Sequence, residues 1–205
     1  MIFKLEYNHK KVQKIVMPRV KNETFYKASL QKHGLTCRAL HWNSEQSQIT
    51  RFKVLLSLLP EKLSTCKVAD AGCGFGDLYT FMNPKPLLYI GLDLMDEMVE
   101  EAKVRTGCEI LKRDICHDEL PVVDYYFCSG AMNILQKFET YLFIQNCYGA
   151  SSKGFIFNIL EGDDDSLVYN HFREKELKEL AKSLGAKIKV KRGYMHKDIS
   201  IGFFK

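Results

Sequence analysis

Three glycines at alternate positions close the stretch Lys67-Val68-Ala69-Asp70-Ala71-Gly72-Cys73-Gly74-Phe75-Gly76-Asp77-Leu78. The stretch opens as a short apolar run fit for a buried strand and ends in the pattern of a helix start. Glycine lacks a Cβ, so such a turn can take positive φ and a ligand can lie on bare main chain. In open α/β sheets ligands bind in the crevice at the carboxyl ends of the strands. The turn therefore predicts a cofactor site. The plain alternative is a tight strand-to-helix turn that holds nothing, and only the context separates the two.

The rest of the chain supplies that context. Strand patterns are read over 67–71, 87–92, 109–111, 123–128 and 154–160. Helix patterns are read over 77–82, 96–105, 138–147 and 172–184, with Gly107 and Gly185 as terminators. Alternation of this kind predicts a parallel sheet with helices on both faces. At the end the rhythm breaks. Residues 187–191 alternate with period two, Arg192-Gly193 turns, and 194–204 reads as one more strand with no helix between. Two strands joined so closely must run antiparallel. The expected fold is a three-layer, Rossmann-like α/β domain whose seven-stranded sheet is mostly parallel with an antiparallel C-terminal strand.

Ahead of the first strand, Ser44 reads as a helix N-cap. Phe52, Leu55, Leu56, Leu58 and Leu59 recur near helical spacing up to Pro60. Residues 1–30 read as a short strand or coil followed by a helix. The chain divides into a basic arm, 1–42, and a ligand-binding domain, 43–205. The arm holds nine Lys/Arg and two Asp/Glu, whereas the remainder is slightly acidic, within a net charge of +5. A basic arm can meet nucleic acid or an anionic substrate, or it can be a solvated extension that covers the sheet or the site. It lacks the arginine density and interleaved aromatics of an RNA-binding tail, which favours the second reading. No apolar run approaches the roughly 18 residues of a membrane span, and the start shows no signal-peptide core. Seven scattered cysteines without a C-x-x-C motif argue against a disulfide framework and against zinc. A soluble, cytoplasmic protein with free thiols is expected.

Charge chooses between cofactors. A dinucleotide turn wants G-x-G-x-x-G, because a pyrophosphate must reach a helix N-terminus. Here Asp77 stands where the third glycine would be. S-adenosylmethionine carries a sulfonium and an ammonium and no phosphate, so carboxylates suit it. Asp70-Ala71-Gly72-Cys73-Gly74-Phe75-Gly76 resembles motif I of the class I S-adenosylmethionine-dependent methyltransferases. Tyr89-Ile90-Gly91-Leu92-Asp93-Leu94 with Met98 resembles their second-strand motif. Arg113-Asp114-Ile115 resembles the acidic motif after strand 3, and the terminal hairpin resembles their reversed last strand. The resemblance runs from about His33 to Lys205. His33-Gly34, Trp42, Gln48, Arg51-Phe52 and Ser129-Gly130-x-x-Asn133 resemble a group of small bacterial single-domain members of unassigned substrate.

That resemblance implies roles. Gly72, Cys73 and Gly74 would meet the methionine and ribose parts through backbone. Asp70 would help to hold the ammonium, through hydrogen bonds or water. Asp93 would take both ribose hydroxyls; its alternative is a helix cap. Asp114 and Ile115 would hold the adenine, with Leu94 and Met98 as apolar contacts. Ser129 and Gly130 would face the reactive methyl.

Methyl transfer from sulfonium is mainly positioning chemistry, so no catalytic constellation is required, and none is evident. His41, Asn133, Tyr194 and His196 are candidate catalytic groups. Trp42 and Arg51 are candidate substrate contacts, with core packing and an exposed ion pair as their respective alternatives. Cys128 reads as a buried strand residue, and Asp163-Asp164-Asp165 as a solvated loop rather than a metal site. The expected function is methyl transfer to a small molecule. RNA or ribosomal protein is the other acceptor class. A non-catalytic S-adenosylmethionine-binding protein and a nicotinamide oxidoreductase are readings from other classes.

Overall fold

A computed structural model describes residues 22–40, 44–163, 166 and 168–205. The side chains of residues 22, 23 and 37 are outside that description. His41, Trp42, Asp164, Asp165 and the first half of the basic arm also lie outside it.

Among the described residues eight strands form one sheet: β1 (Lys67–Ala71), β2 (Leu88–Asp93), β3 (Glu109–Lys112), β4 (Val123–Ser129), β5 (Ser151–Glu161), β6 (His171–Phe172), β7 (Lys187–Arg192) and β8 (Asp198–Phe204). The α-helices among the described residues are α1 (Asn22–His33), α2 (Glu45–Leu56), α3 (Asp77–Phe81), α4 (Asp96–Thr106), α5 (Lys137–Ala150) and α6 (Glu174–Ser183). The main strand order is β3-β2-β1-β4-β5-β8-β7, and β6 pairs beside the end of β5. Pairings from β3 through β5 are parallel, and β8 runs antiparallel to both β5 and β7. This is the expected mostly parallel sheet with a reversed final strand.

Alternation along the strands sorts side chains onto two faces. Ala69, Tyr126, Cys128, Phe155, Phe157, Ile201 and Phe203 pack with α5 and α6. Val68, Tyr125, Phe127, Ile156 and Phe204 pack with α2, α3 and α4. Both faces are dry, which is why the central strands read as near-continuous apolar runs. Ser44 caps α2 as expected: its Oγ accepts from Ser47 N–H (3.1 Å), and Ser47 Oγ accepts from Ser44 N–H (3.2 Å).

Two expectations are corrected. The helix expected over 172–184 begins only at Glu174, because Phe172 is paired in β6 opposite Glu161. A two-residue strand has no period to read. The strand expected from Tyr194 starts at Asp198, after a turn in which Lys197 takes φ 54°.

β1 is flanked by β2 on one side and β4 on the other. The chain therefore leaves β1 toward one edge of the sheet and β4 toward the other, and a crevice opens between their carboxyl ends. A third, smaller apolar cluster lies over that end. Ala39, Phe75, Met95 and Met98 form it, with Tyr26, Leu30 and Leu40 packed against them. The N-terminal segment is thereby seated on the glycine turn.

Candidate functional site

The crevice holds a cavity of about 290 Å³, at the small end of the roughly 300–1,000 Å³ typical of ligand pockets. It is built upward from the glycine turn. Gly72 and Cys73 N–H both donate to the Leu92 carbonyl (2.8 and 3.0 Å), which ties the turn to β2. Gly72, Gly74 and Gly76 all take positive φ, at 73°, 54° and 79°. A Cβ on Gly72 would stand 2.3 Å from Ala131 Cβ in the turn after β4. Gly72→Ala should therefore cost about 2 kcal/mol, from left-handed backbone plus this clash. Urea unfolding checks it.

Asp93 ends β2 under the turn. Its Oδ2 accepts from Gly74 N–H (2.9 Å) and its Oδ1 from Met95 N–H (3.1 Å). Burial raises the Asp93 pKa, and the backbone donors pull the other way. Asp93 thus supports the loop entering α4 and also lines the cavity. The first residue of α4 is Asp96, so Asp93 stands ahead of the cap position, Met95. Asp114 lines the cavity after β3. Its Oδ1 accepts from Cys116 N–H (2.9 Å) and its Oδ2 lies 2.9 Å from His117 Nδ1.

Gly72, Cys73, Gly74, Asp93, Leu94, Met98, Asp114, Ile115, Ser129 and Gly130 are all brought to the cavity wall. Asp70 is not. It is buried on the sheet face toward α2, α3 and α4, its Oδ2 accepts from the Tyr89 hydroxyl (2.9 Å), and burial pushes its pKa up to about 7. Ser129 and Gly130 are fixed by Asn158 on β5. The Asn158 Oδ1 accepts from Gly130 N–H (2.9 Å), and its Nδ2 donates to Ser129 Oγ (3.3 Å).

On the side toward β4 and β5, Asn133 lines the cavity and Tyr194 and His196 do not. The Tyr194 hydroxyl is held inside the protein by Asp198 (2.9 Å) and Ser200 (2.7 Å), and His196 is exposed. Arg51 also lines the cavity. Its ion pair is real but not exposed: Nε and Nη2 both donate to Asp198 Oδ2, with both side chains nearly out of water. Cys128 is fully buried, as expected. Asp163 is exposed and pairs with Arg173. Among the described residues there is no cluster of His, Cys, Asp or Glu fit to hold a metal.

Asp77, whose charge opposes a pyrophosphate, does line the cavity. Gln48 Nε2 donates to its Oδ2 (2.8 Å), and Arg105 Nη1 lies 3.4 Å from its Oδ1. Arg105 also donates to the Leu35 carbonyl (2.9 Å) and covers the Phe75 ring at 4.8 Å. It thus anchors the N-terminal segment to α3 and α4.

Several wall residues carried no signal in the sequence. Phe25, Tyr26 and Leu40 come from the N-terminal segment, Met95 from the loop before α4, and Leu160 and Tyr169 from the far end of β5 and beyond. Burial strongly raises the Tyr26 pKa, and Asp93, Cys128 and Tyr169 are all near enough to add to the effect. Tyr26 packs against Ala39, Phe75, Met95 and Met98 and forms part of the cavity wall.

The donor set suits a cation-bearing nucleoside. Bare main chain at two glycines adjoins Asp77, Asp93 and Asp114, with apolar Leu94, Met95, Met98 and Ile115 beside them. No protein-family model and no curated protein matches the sequence. Solved structures do match the fold. One is magnesium protoporphyrin IX methyltransferase (ChlM) from Synechocystis PCC 6803 with bound SAH, at TM-score 0.69 and 13% identity, covering 90% of this chain and 100% of that one. A second is an S-adenosylmethionine-dependent methyltransferase from Clostridium acetobutylicum, at TM-score 0.65 and 14% identity, covering 87% and 98%. A third is the DhpI–SAM–HEP complex, at TM-score 0.70 and 13% identity, covering 88% and 94%. At these identities the likeness establishes the Rossmann-like methyltransferase fold and nothing about the substrate.

Proposed function

We propose, from the fold this chain shares with S-adenosylmethionine-dependent methyltransferases, that it binds S-adenosylmethionine in the crevice and transfers the methyl group to a small molecule. The observation that carries the reading is the half-buried Asp93 carboxylate at the end of β2, beside the positive-φ backbone of Gly72 and Gly74 and on the cavity wall.

When bound, the cofactor supplies an electrophilic methyl on a good leaving group, so the protein has to align partners and exclude water. Asp93 accepts the two ribose hydroxyls with lone pairs its backbone donors leave over. Asp114 and Ile115 meet the adenine, and Leu94 and Met98 flank it. The Gly72–Gly74 backbone takes the methionine part. Ser129 and Gly130, locked by Asn158, face the methyl group, with Asn133 on the acceptor side. Phe25, Tyr26 and Leu40 narrow the cavity from the N-terminal segment, which favours a small acceptor over a polymer. Among the described wall residues there is no histidine, so the reading leans on positioning rather than on a general base.

Asp93→Ala should weaken S-adenosylhomocysteine binding by about 1–3 kcal/mol, the loss expected for hydrogen bonds to a charged group. Titration calorimetry measures it, and an unchanged affinity returns Asp93 to a purely structural role. A tighter fit to NADH than to S-adenosylhomocysteine would overturn the cofactor. RNA binding that falls steeply with salt and vanishes on deletion of residues 1–30 would favour the RNA acceptor.

A further inference from the structure

We infer that Arg51 is the cavity's receptor for a ligand carboxylate, oriented for that purpose by Asp198 behind it. The inference rests on the nucleoside reading above for the identity of one ligand, and on the geometry of the wall for the rest.

Two cations stand among the described wall residues, Arg51 and Arg113. Arg113 follows β3, beside Asp114, and its Nη1 donates to the Lys112 carbonyl (2.8 Å). Three wall acids, Asp77, Asp93 and Asp114, come from the ends of β2 and β3 and from the start of α3. A carboxylate is repelled from that side. Arg51 arrives from α2, which packs on β5 and β8, on the other side of β1. It is 9% exposed.

Stability does not account for such a residue. A buried ion pair is a poor stabiliser, because apolar side chains of similar volume often do as well or better. Here the pair is nevertheless built from distant parts of the chain and braced. Arg51 bonds Asp198, Asp198 Oδ1 accepts the Tyr194 hydroxyl (2.9 Å), and that hydroxyl lies 2.7 Å from Ser200 Oγ. The brace fixes the plane of the guanidinium. A fixed, planar guanidinium on a cavity wall matches the two oxygens of a carboxylate, and it can take carboxylates on more than one edge. Two sources offer that group: the methionine part of the cofactor, or an acidic acceptor.

Titration calorimetry separates them. S-adenosylhomocysteine is compared with 5′-methylthioadenosine, which lacks the amino-acid part, and succinate is titrated with and without S-adenosylhomocysteine present. The proteins are wild type, Arg51→Gln, and the double variant Arg51→Met/Asp198→Leu, which removes both charges at once and leaves no acid unpaired. Circular dichroism confirms that each is folded. If the cofactor is the source, wild type prefers S-adenosylhomocysteine by at least tenfold and both variants bring the ratio within threefold. If the acceptor is the source, the ratio survives and the variants lose succinate binding to the loaded protein. An unchanged ratio with no variant-sensitive succinate binding overturns the proposal. Absence of S-adenosylhomocysteine binding to wild type counts against the nucleoside reading instead, and the succinate titration of the unloaded protein then decides for Arg51 alone.

Discussion

Arg51→Met is expected to lower the unfolding free energy by about 3–5 kcal/mol at pH 8, the cost of leaving a buried acid without its partner. Asp198 is buried, and burial already raises its pKa while Arg51 and Tyr194 hold it down. Without the guanidinium the carboxyl must either stay ionised in a dry site or take up a proton. Its folded pKa then rises further, so stability is lost as pH climbs through the range where the unfolded acid ionises and the folded one does not. At acid pH, where Asp198 is neutral in both states, the penalty shrinks. Adding Asp198→Leu should restore most of the loss, since the apolar pair leaves no uncompensated charge. Urea unfolding of both variants across pH 4–8 reads all of this. A single variant as stable as wild type at pH 8 would mean that the pair is solvated.

Asp70→Asn is the second large effect, and it has the opposite sign. Burial moves the Asp70 pKa from 3.8 to about 7, with Asp93 and Asp77 adding to the rise and the Tyr89 hydroxyl opposing it. The folded state therefore holds a proton that the unfolded chain has already lost between about pH 4 and pH 7. Wild-type stability falls over that window and levels off above it. Three pKa units at about 1.36 kcal/mol each amount to about 4 kcal/mol. Asparagine carries no charge to desolvate, and its oxygen can still accept from Tyr89. The variant should be more stable than wild type by about 4 kcal/mol at pH 8, with the gap closing toward pH 4. Parallel pH profiles for the two proteins would show Asp70 to be ionised at no cost.

Asp70 also shows where reading from the chain stops. Its place in the glycine stretch assigns it to the ligand; which neighbour its carboxyl meets, the Tyr89 hydroxyl on the sheet face toward α2, α3 and α4, is not written in that stretch. The neighbouring glycines, Asp93 and Asp114 are legible as crevice residues because they sit at or just beyond the ends of strands, where element order alone puts them together. Phe25, Tyr26 and Leu40 are not. Their approach to the turn depends on how a segment dozens of residues away packs, and no local period encodes that.

The sequence by itself determined the alternation of strands and helices, the reversed last strand, the positive-φ turn and the acidic character of its surroundings, because periodicity, glycine freedom and charge are local properties. Only the tertiary structure decided that Tyr26 joins the cavity wall, that the Asp70 carboxyl is buried against the Tyr89 hydroxyl, and that Arg51 meets Asp198 across 147 positions of chain. Those outcomes depend on which surfaces are buried against each other, and burial sets both the charge a carboxyl can keep and the direction a guanidinium can point.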